Sequence, residues 1–205
     1  MTAASGRPSS FAGLVYTSRM DQRPHTGAPA AAVARSVFLI GPMGSGKSAV
    51  GRSLARLLGW RFLDSDAEIE RRTGVDINYI FEKEGEAGFR AREREVIDDL
   101  TREHGLVLAT GGGSILLPEN RAALSQRGIV VYLEASVAQQ VERTSRARHR
   151  PLLLAADPAT RLAELMRARE ALYRETALFT VSTDERKVAA VVDDIRSELV
   201  SRRFA

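Results

Sequence analysis

Hydrophobic residues in this chain gather into short continuous runs, separated by longer stretches in which they recur every three or four positions. The runs are SVFLI (36–40), RFLD (61–64), LVLAT (106–110), IVVYLE (129–134) and LFTVS (178–182). Unbroken apolar runs of this length mark strands buried on both faces, since a half-exposed strand would alternate. The intervening periodicity predicts helices at 47–58, at 66–103 with breaks near Gly74 and Gly85, and at 119–127, 136–146, 158–176 and 185–203. Five strands alternating with helices imply a parallel sheet covered on both faces and joined by right-handed crossovers. Ligands of such sheets bind at the carboxyl ends of the strands.

Two segments carry no such pattern. Residues 1–34 are rich in Ala, Ser, Gly and Pro and lack the amphipathic helix of a transit peptide, which predicts a disordered extension ahead of one domain at 35–205. The stretch RTSRARHRPLLLAADPATR (143–161) holds many Arg and is broken by Pro151 and Pro158, so it reads as a loop, a lid over about 143–158.

Composition narrows the chemistry. No apolar stretch approaches the ~20 residues needed to cross a bilayer, and no secretion signal opens the chain, so a soluble cytoplasmic protein without a membrane partner is expected. Cysteine is absent, which removes thiolate nucleophiles and Cys-based metal sites. The net charge is +4 and Lys occurs only at 47, 83 and 187, so nearly all positive charge is Arg, the residue whose planar fork suits phosphate and carboxylate. No aromatic residues interleave with the arginines of 143–161, which argues against a nucleic-acid platform.

The first strand runs straight into GPMGSGKS (41–48), a full match to G-x-x-x-x-G-K-[ST]. Its glycines let backbone N–H groups turn inward at a helix N-terminus and make an anion nest from Gly44, Ser45, Gly46, Lys47, Ser48 and Ala49. In such a loop the Lys47 ammonium reaches the β- and γ-phosphates of a nucleotide and the Ser48 hydroxyl takes a place on Mg²⁺. The second strand ends at the same edge in FLDSD (62–66), where Asp64 and Asp66 share one face of an extended chain. Beside a P-loop, that negative charge has a use facing Mg²⁺ and the γ-phosphate. A solvated surface loop is the plainer alternative.

Further motifs extend the pattern. GPMGSGKS, DSDAEIERRTG, IFEKEGEAGFRAREREV, ATGGGS, RPLL and REALYRE occur in the order and spacing of the shikimate kinases, and over residues 35–200 the chain resembles that family. The resemblance implies an α/β P-loop NTPase three-layer sandwich, similar to nucleoside monophosphate kinases, with a five-stranded parallel sheet in order 2-3-1-4-5 and a mobile lid. It also implies a monomer that uses ATP and Mg²⁺ to phosphorylate the 3-hydroxyl of shikimate on the way to chorismate and the aromatic amino acids.

Site residues follow from the same resemblance. Arg90 and Arg169 match the carboxylate-binding arginines, with Arg92, Arg94 and Arg167 as near neighbours in equally charged runs. Gly111, Gly112 and Gly113 follow the third strand directly, and the middle glycine is the one that meets substrate. Asp64 is expected to hold Mg²⁺ through water, and Asp66 to meet the substrate hydroxyl and accept its proton. Arg150 of RPLL is expected to close on the ATP phosphates, with Arg143 and Arg186 about adenine. Two positions depart from the family: Ala49 replaces a Thr after GKS, and Ala171 replaces a Pro before LY. From the residues alone, another small-molecule P-loop kinase acting on gluconate or a nucleotide, or a nucleotide-binding module without catalysis, remain alternatives.

Overall fold

The computed structural model describes residues 36–145 and 157–204. Its five strands are β1 (Ser36–Ile40), β2 (Arg61–Asp64), β3 (Leu106–Ala109), β4 (Gly128–Glu134) and β5 (Phe179–Ser182). All pair in parallel, in the order β2-β3-β1-β4-β5 expected from the resemblance. The helices are α1 (Lys47–Leu58), α2 (Ser65–Thr73), α3 (Ile77–Leu100), α4 (Pro118–Arg127), α5 (Val137–Ser145), α6 (Pro158–Thr176) and α7 (Val188–Ser201).

Strand residues alternate between two apolar layers, as the pleat demands. Val37, Leu39, Val107, Val131 and Leu133 pack against α1 and α7 through Leu54, Val191, Ile195 and Leu199. Phe38, Ile40, Leu106, Leu108, Val130 and Tyr132 face the other way, onto α2, α3, α4 and α6 through Ile69, Ile97, Leu124 and Tyr173. The central strands β1, β3 and β4 are buried on both sides and read as unbroken runs, whereas β2 and β5, at the sheet edges, are not buried as expected and leave Arg61, Thr180 and Ser182 exposed.

Several boundaries shift for local reasons. The helical stretch 66–103 is two helices. Gly74 ends α2 with φ 73°, and Gly85, at φ 69° and ψ −173°, kinks α3. The last helix begins at Val188 rather than 185, because Asp184–Lys187 form a turn in which Glu185 takes φ 54°. The glycine stretch continues into a short 3-10 turn at Ser114–Leu116 that the sequence pattern did not signal. At the proposed lid, α5 extends to Ser145 and α6 starts at Pro158, N-capped by the Asp157 carboxylate. Arg143 therefore stands on a helix rather than in the irregular loop. Arg150, His149 and residues 1–34 lie outside the described residues.

Candidate active site

The site lies along the carboxyl edge of β1, β2 and β3. The loop between β1 and α1 is built around glycine: Gly44 takes φ 81°, and a Cβ there would press within 3.2 Å of the Gln140 backbone. Gly46 caps α1 in the left-handed region at φ 86°. These turns leave the first-turn amides of α1, among them those of Ser48 and Ala49, facing the loop with no partner inside the helix. The Ala49 side chain is exposed, so the missing hydroxyl leaves that amide unaltered. Ser45 is buried. The Lys47 Nζ donates to the carbonyls of Gly41 and Pro42, both at 2.8 Å, and to Ser45 Oγ at 3.4 Å. Its ammonium is thereby held at the loop's own frame.

The two aspartates do not share a strand face. β2 ends at Asp64, and α2 begins one residue later. Asp64 is the N-cap: its Oδ1 accepts the Asp66 N–H at 3.1 Å, while its Oδ2 accepts from the Ser48 hydroxyl at 2.7 Å. Asp66 sits in the first turn of α2 and turns toward the glycine loop, where a Cβ on Gly111 would lie 2.6 Å from its Oδ1. The strand-to-helix switch thus separates the carboxylates, sending one to the P-loop and the other to the segment after β3.

That segment is the floor of a polar cluster. The Arg90 guanidinium lies over Gly113, where an added Cβ would come within 2.4–2.8 Å of its nitrogens and Cζ. Arg90 donates to Glu93 Oε2 at 2.6 Å and to Glu86 Oε1 at 3.1 Å, and its side chain is only 15% exposed. Burial works against its charge, but Glu93 and Glu86 hold its pKa above the ordinary arginine value. Glu93 is fully buried, and its Oε1 makes no hydrogen bond. Burial pushes the Glu93 carboxyl above the usual range, against the opposing charges of Arg90 and Arg169. Arg169 on α6 is half-buried, whereas Arg167 is exposed. The cluster therefore offers two guanidinium groups backed by one buried carboxylate, each guanidinium attracting a unit anion by about 4 kcal/mol at ~4 Å in an effective dielectric near 20 before desolvation is subtracted.

A family model described as shikimate kinase matches residues 43–200. The chain belongs to the shikimate kinase family. It is 55% identical over 161 residues to the shikimate kinase of Psychromonas ingrahamii, covering 78% of this chain and 94% of that one. To the enzyme of Methylococcus capsulatus it is 57% identical over 158 residues, covering 77% and 88%. Among solved structures, the shikimate kinase of Acinetobacter baumannii in complex with shikimate superposes with TM-score 0.82 at 48% identity, covering 85% of this chain and 97% of that one. The Aquifex aeolicus enzyme superposes with TM-score 0.73 at 35% identity, covering 82% and 98%. Like its family, this chain is a kinase that uses ATP to phosphorylate the 3-hydroxyl of shikimate, and the gluconate, nucleotide and non-catalytic alternatives fall away.

Two further arginines sit on the opposite side of the P-loop. Arg143, in the last turn of α5, donates to Gly44 O at 3.1 Å, Thr183 Oγ1 at 3.0 Å and Thr183 O at 2.6 Å, joining the P-loop to the turn after β5. Arg186 is drawn back onto α7 by Asp194 at 2.6 Å and the Ala190 carbonyl at 3.2 Å. Glu93 escaped the sequence reading because FRAREREV looks like a solvated charged run. Its signal was position: Phe89, Glu93, Val96 and Leu100 recur at spacings of four, three and four, which puts one acidic residue on the apolar face of α3. Among the described residues no helix is long and apolar enough to cross a membrane.

Proposed function

We propose that shikimate lies across Gly111–Gly113, with its carboxylate on Arg90 and Arg169 and its 3-hydroxyl at Asp66. The observation that carries this reading is the order of groups along the glycine loop: Asp66 stands against Gly111 and Arg90 against Gly113. An acceptor for a hydroxyl and a fork for a carboxylate are thus spaced along one short segment beside the P-loop, as a small hydroxy acid requires. ATP phosphates enter the amide nest of Gly44–Ala49, with Lys47 moving from the Gly41 and Pro42 carbonyls onto the β- and γ-phosphates.

The paired oxygens of Ser48 and Asp64, 2.7 Å apart, are hard donors of the kind Mg²⁺ takes. Mg²⁺, when bound, supplies positive charge to the phosphate oxygens. Asp64 orients Ser48, and the two together would hold the ion. Asp66 orients the hydroxyl and receives its proton; because phosphoryl transfer is loose, positioning is the larger part of that role. Arg150 of RPLL meets the ATP phosphates and stabilises charge during transfer. Arg143 and Arg186 flank adenine, Arg143 from its place beside Gly44. A cytoplasmic monomer, without membrane or nucleic acid, is the form in which we place this activity.

Two variants test the division of labour between the aspartates. Asp64→Asn raises the Mg²⁺ concentration needed for half-maximal rate, whereas Asp66→Asn lowers kcat by about 10²-fold or more with nucleotide affinity nearly intact. Exchanged phenotypes reverse the assignment, and two wild-type phenotypes return the pair to a surface-loop role.

A further inference from the structure

Two tyrosines stack in the core beneath the glycine loop. Tyr132 on β4 and Tyr173 on α6 lie with ring centroids 5.0 Å apart and planes 14° from parallel, and both are fully buried, at 0% and 1% exposure. Arg174 lies over the Tyr132 ring, and the two hydroxyls have different fates. That of Tyr132 is buried and makes no hydrogen bond, whereas that of Tyr173 donates to the carbonyl of Gly112. Burial drives both phenols upward, and Arg169 opposes that push on Tyr173 through its charge and by hydrogen bonding. A phenyl ring would fill either position equally well, so packing explains the rings and leaves the Tyr173 hydroxyl unexplained.

Its partner gives the reason. A peptide unit is planar and trans, so pinning the Gly112 carbonyl inward turns the Gly113 N–H the opposite way. The neighbouring units are fixed similarly: the Gly111 N–H donates to Ser65 Oγ at 2.9 Å, and the Gly111 carbonyl accepts from Ser114 Oγ at 2.7 Å. Gly112 also abuts the P-loop, since a Cβ there would stand 3.5 Å from Met43 N and 3.6 Å from Gly41 O. Tyr173 follows Arg169 by four residues on α6, one helical turn on the same face. One phenol therefore ties the helix that carries a carboxylate-holding arginine to the loop that packs on the phosphate-binding backbone.

We infer that Tyr173 is a positioning residue for shikimate: its hydroxyl sets the Gly112 peptide against both Arg169 and the P-loop, fixing the span between the carboxylate site and the phosphoryl donor. This rests on the assignment of Arg90, Arg169 and Gly111–Gly113 to shikimate. Tyr132 supplies the matched control, because removing its hydroxyl takes away an equally buried oxygen that holds nothing.

Steady-state kinetics with shikimate and ATP varied separately, shikimate binding by calorimetry and thermal melts test the inference on Tyr173→Phe and Tyr132→Phe. Tyr173→Phe is expected to raise the shikimate KM and Kd by about tenfold while the ATP KM stays within about twofold. Tyr132→Phe is expected to leave both constants within about twofold. An unchanged shikimate KM in Tyr173→Phe overturns the inference. So does an equal rise in Tyr132→Phe, or a joint change in both substrates' constants with a fallen Tm, which would mark a role in core packing alone. Arg169→Lys separates the inference from its premise: an unchanged shikimate KM there removes the site assignment itself, whereas a raised KM beside a normal Tyr173→Phe removes only the role of Tyr173.

Discussion

Alanine placed in turn at Gly111, Gly112 and Gly113 converts the layout of the site into three different kinetic defects. None of the three has a positive φ, so the backbone accepts alanine and the whole effect is what the new methyl meets. At Gly113 the methyl falls 2.4 Å from Arg90 Nη2 and 2.7 Å from Nη1. Contact distance requires the guanidinium to retreat by about 1 Å. Arg90 is the far end of a flexible side chain, so the fold survives, but its alignment with a carboxylate is lost. One charge-assisted hydrogen bond is worth about 1.5–3 kcal/mol, which puts the shikimate KM up by about 10- to 150-fold with kcat little changed.

At Gly111 the methyl falls 2.6 Å from Asp66 Oδ1 and 3.0 Å from Glu93 Oε1. A displacement of Asp66 by about 1 Å should cost about 10²-fold in kcat. At Gly112 the nearest atoms stand at 3.5 Å, an ordinary contact, so Gly112→Ala should melt near the wild type and show the mildest kinetic change. The assay is ADP release at saturating ATP with shikimate varied, alongside thermal melts. A Gly113→Ala enzyme with a normal shikimate KM refutes the reading of Arg90. A Gly111→Ala enzyme impaired in KM but normal in kcat refutes that of Asp66.

Lys47→Met should abolish turnover while circular dichroism stays unchanged, since the Nζ bonds to the Gly41 and Pro42 carbonyls and to Ser45 Oγ lie within the loop itself; near-normal activity would contradict the phosphate role. Glu68 accepts from Arg71 and Arg72, and the Arg71 hydrogen bond, against an opposing push from burial, lowers its pKa from 4.5 to about 2. The folded value lies below the unfolded one, so this stabilisation is present above about pH 4.5 and is lost as pH falls toward 2. Urea melts across that window should lose about 1 kcal/mol more in the wild type than in Glu68→Gln, after allowing for solvent screening, and parallel curves would contradict it. Deleting residues 1–34 should leave turnover and Tm unchanged, because the family match begins only at residue 43; a large loss of either would show that the extension belongs to the working domain.

The parts of this fold that were legible are those governed by burial on a regular lattice. All five strands and α1 match their apolar runs closely; for β1, β3 and β4 the reason is burial between two helical layers, whereas the edge strands β2 and β5 keep exposed positions. The P-loop was legible for a different reason, in that its glycines, Lys47 and Ser48 must stand at fixed spacing. Where long-range contact decides the outcome, the sequence was silent. The spacing of Asp64 and Asp66 aims them at one place although a helix is expected from 66; with α2 starting at Ser65 they part, a consequence the spacing alone does not show. Glu93 was hidden in a charged run, and its surroundings, Gly111 and the charge of Arg169, come from segments distant in the sequence. Tyr173 earned no notice beyond its use as a register mark beside Arg169, since a core tyrosine and a loop anchor have the same local sequence.

The most direct test of the account is a single ADP-release comparison on the wild-type protein with ATP and Mg²⁺. The acceptors are shikimate, the same ring with its carboxylate reduced to a hydroxymethyl group, gluconate, and nucleoside monophosphates. Shikimate should be turned over to shikimate 3-phosphate, identified by mass and by phosphorus NMR. The reduced analogue should fall by about 10²-fold or more in kcat/KM, because it leaves Arg90 and Arg169 without their anion. Equal turnover of the reduced analogue, or preference for gluconate or a nucleotide, would contradict the arginine-framed site proposed on Gly111–Gly113.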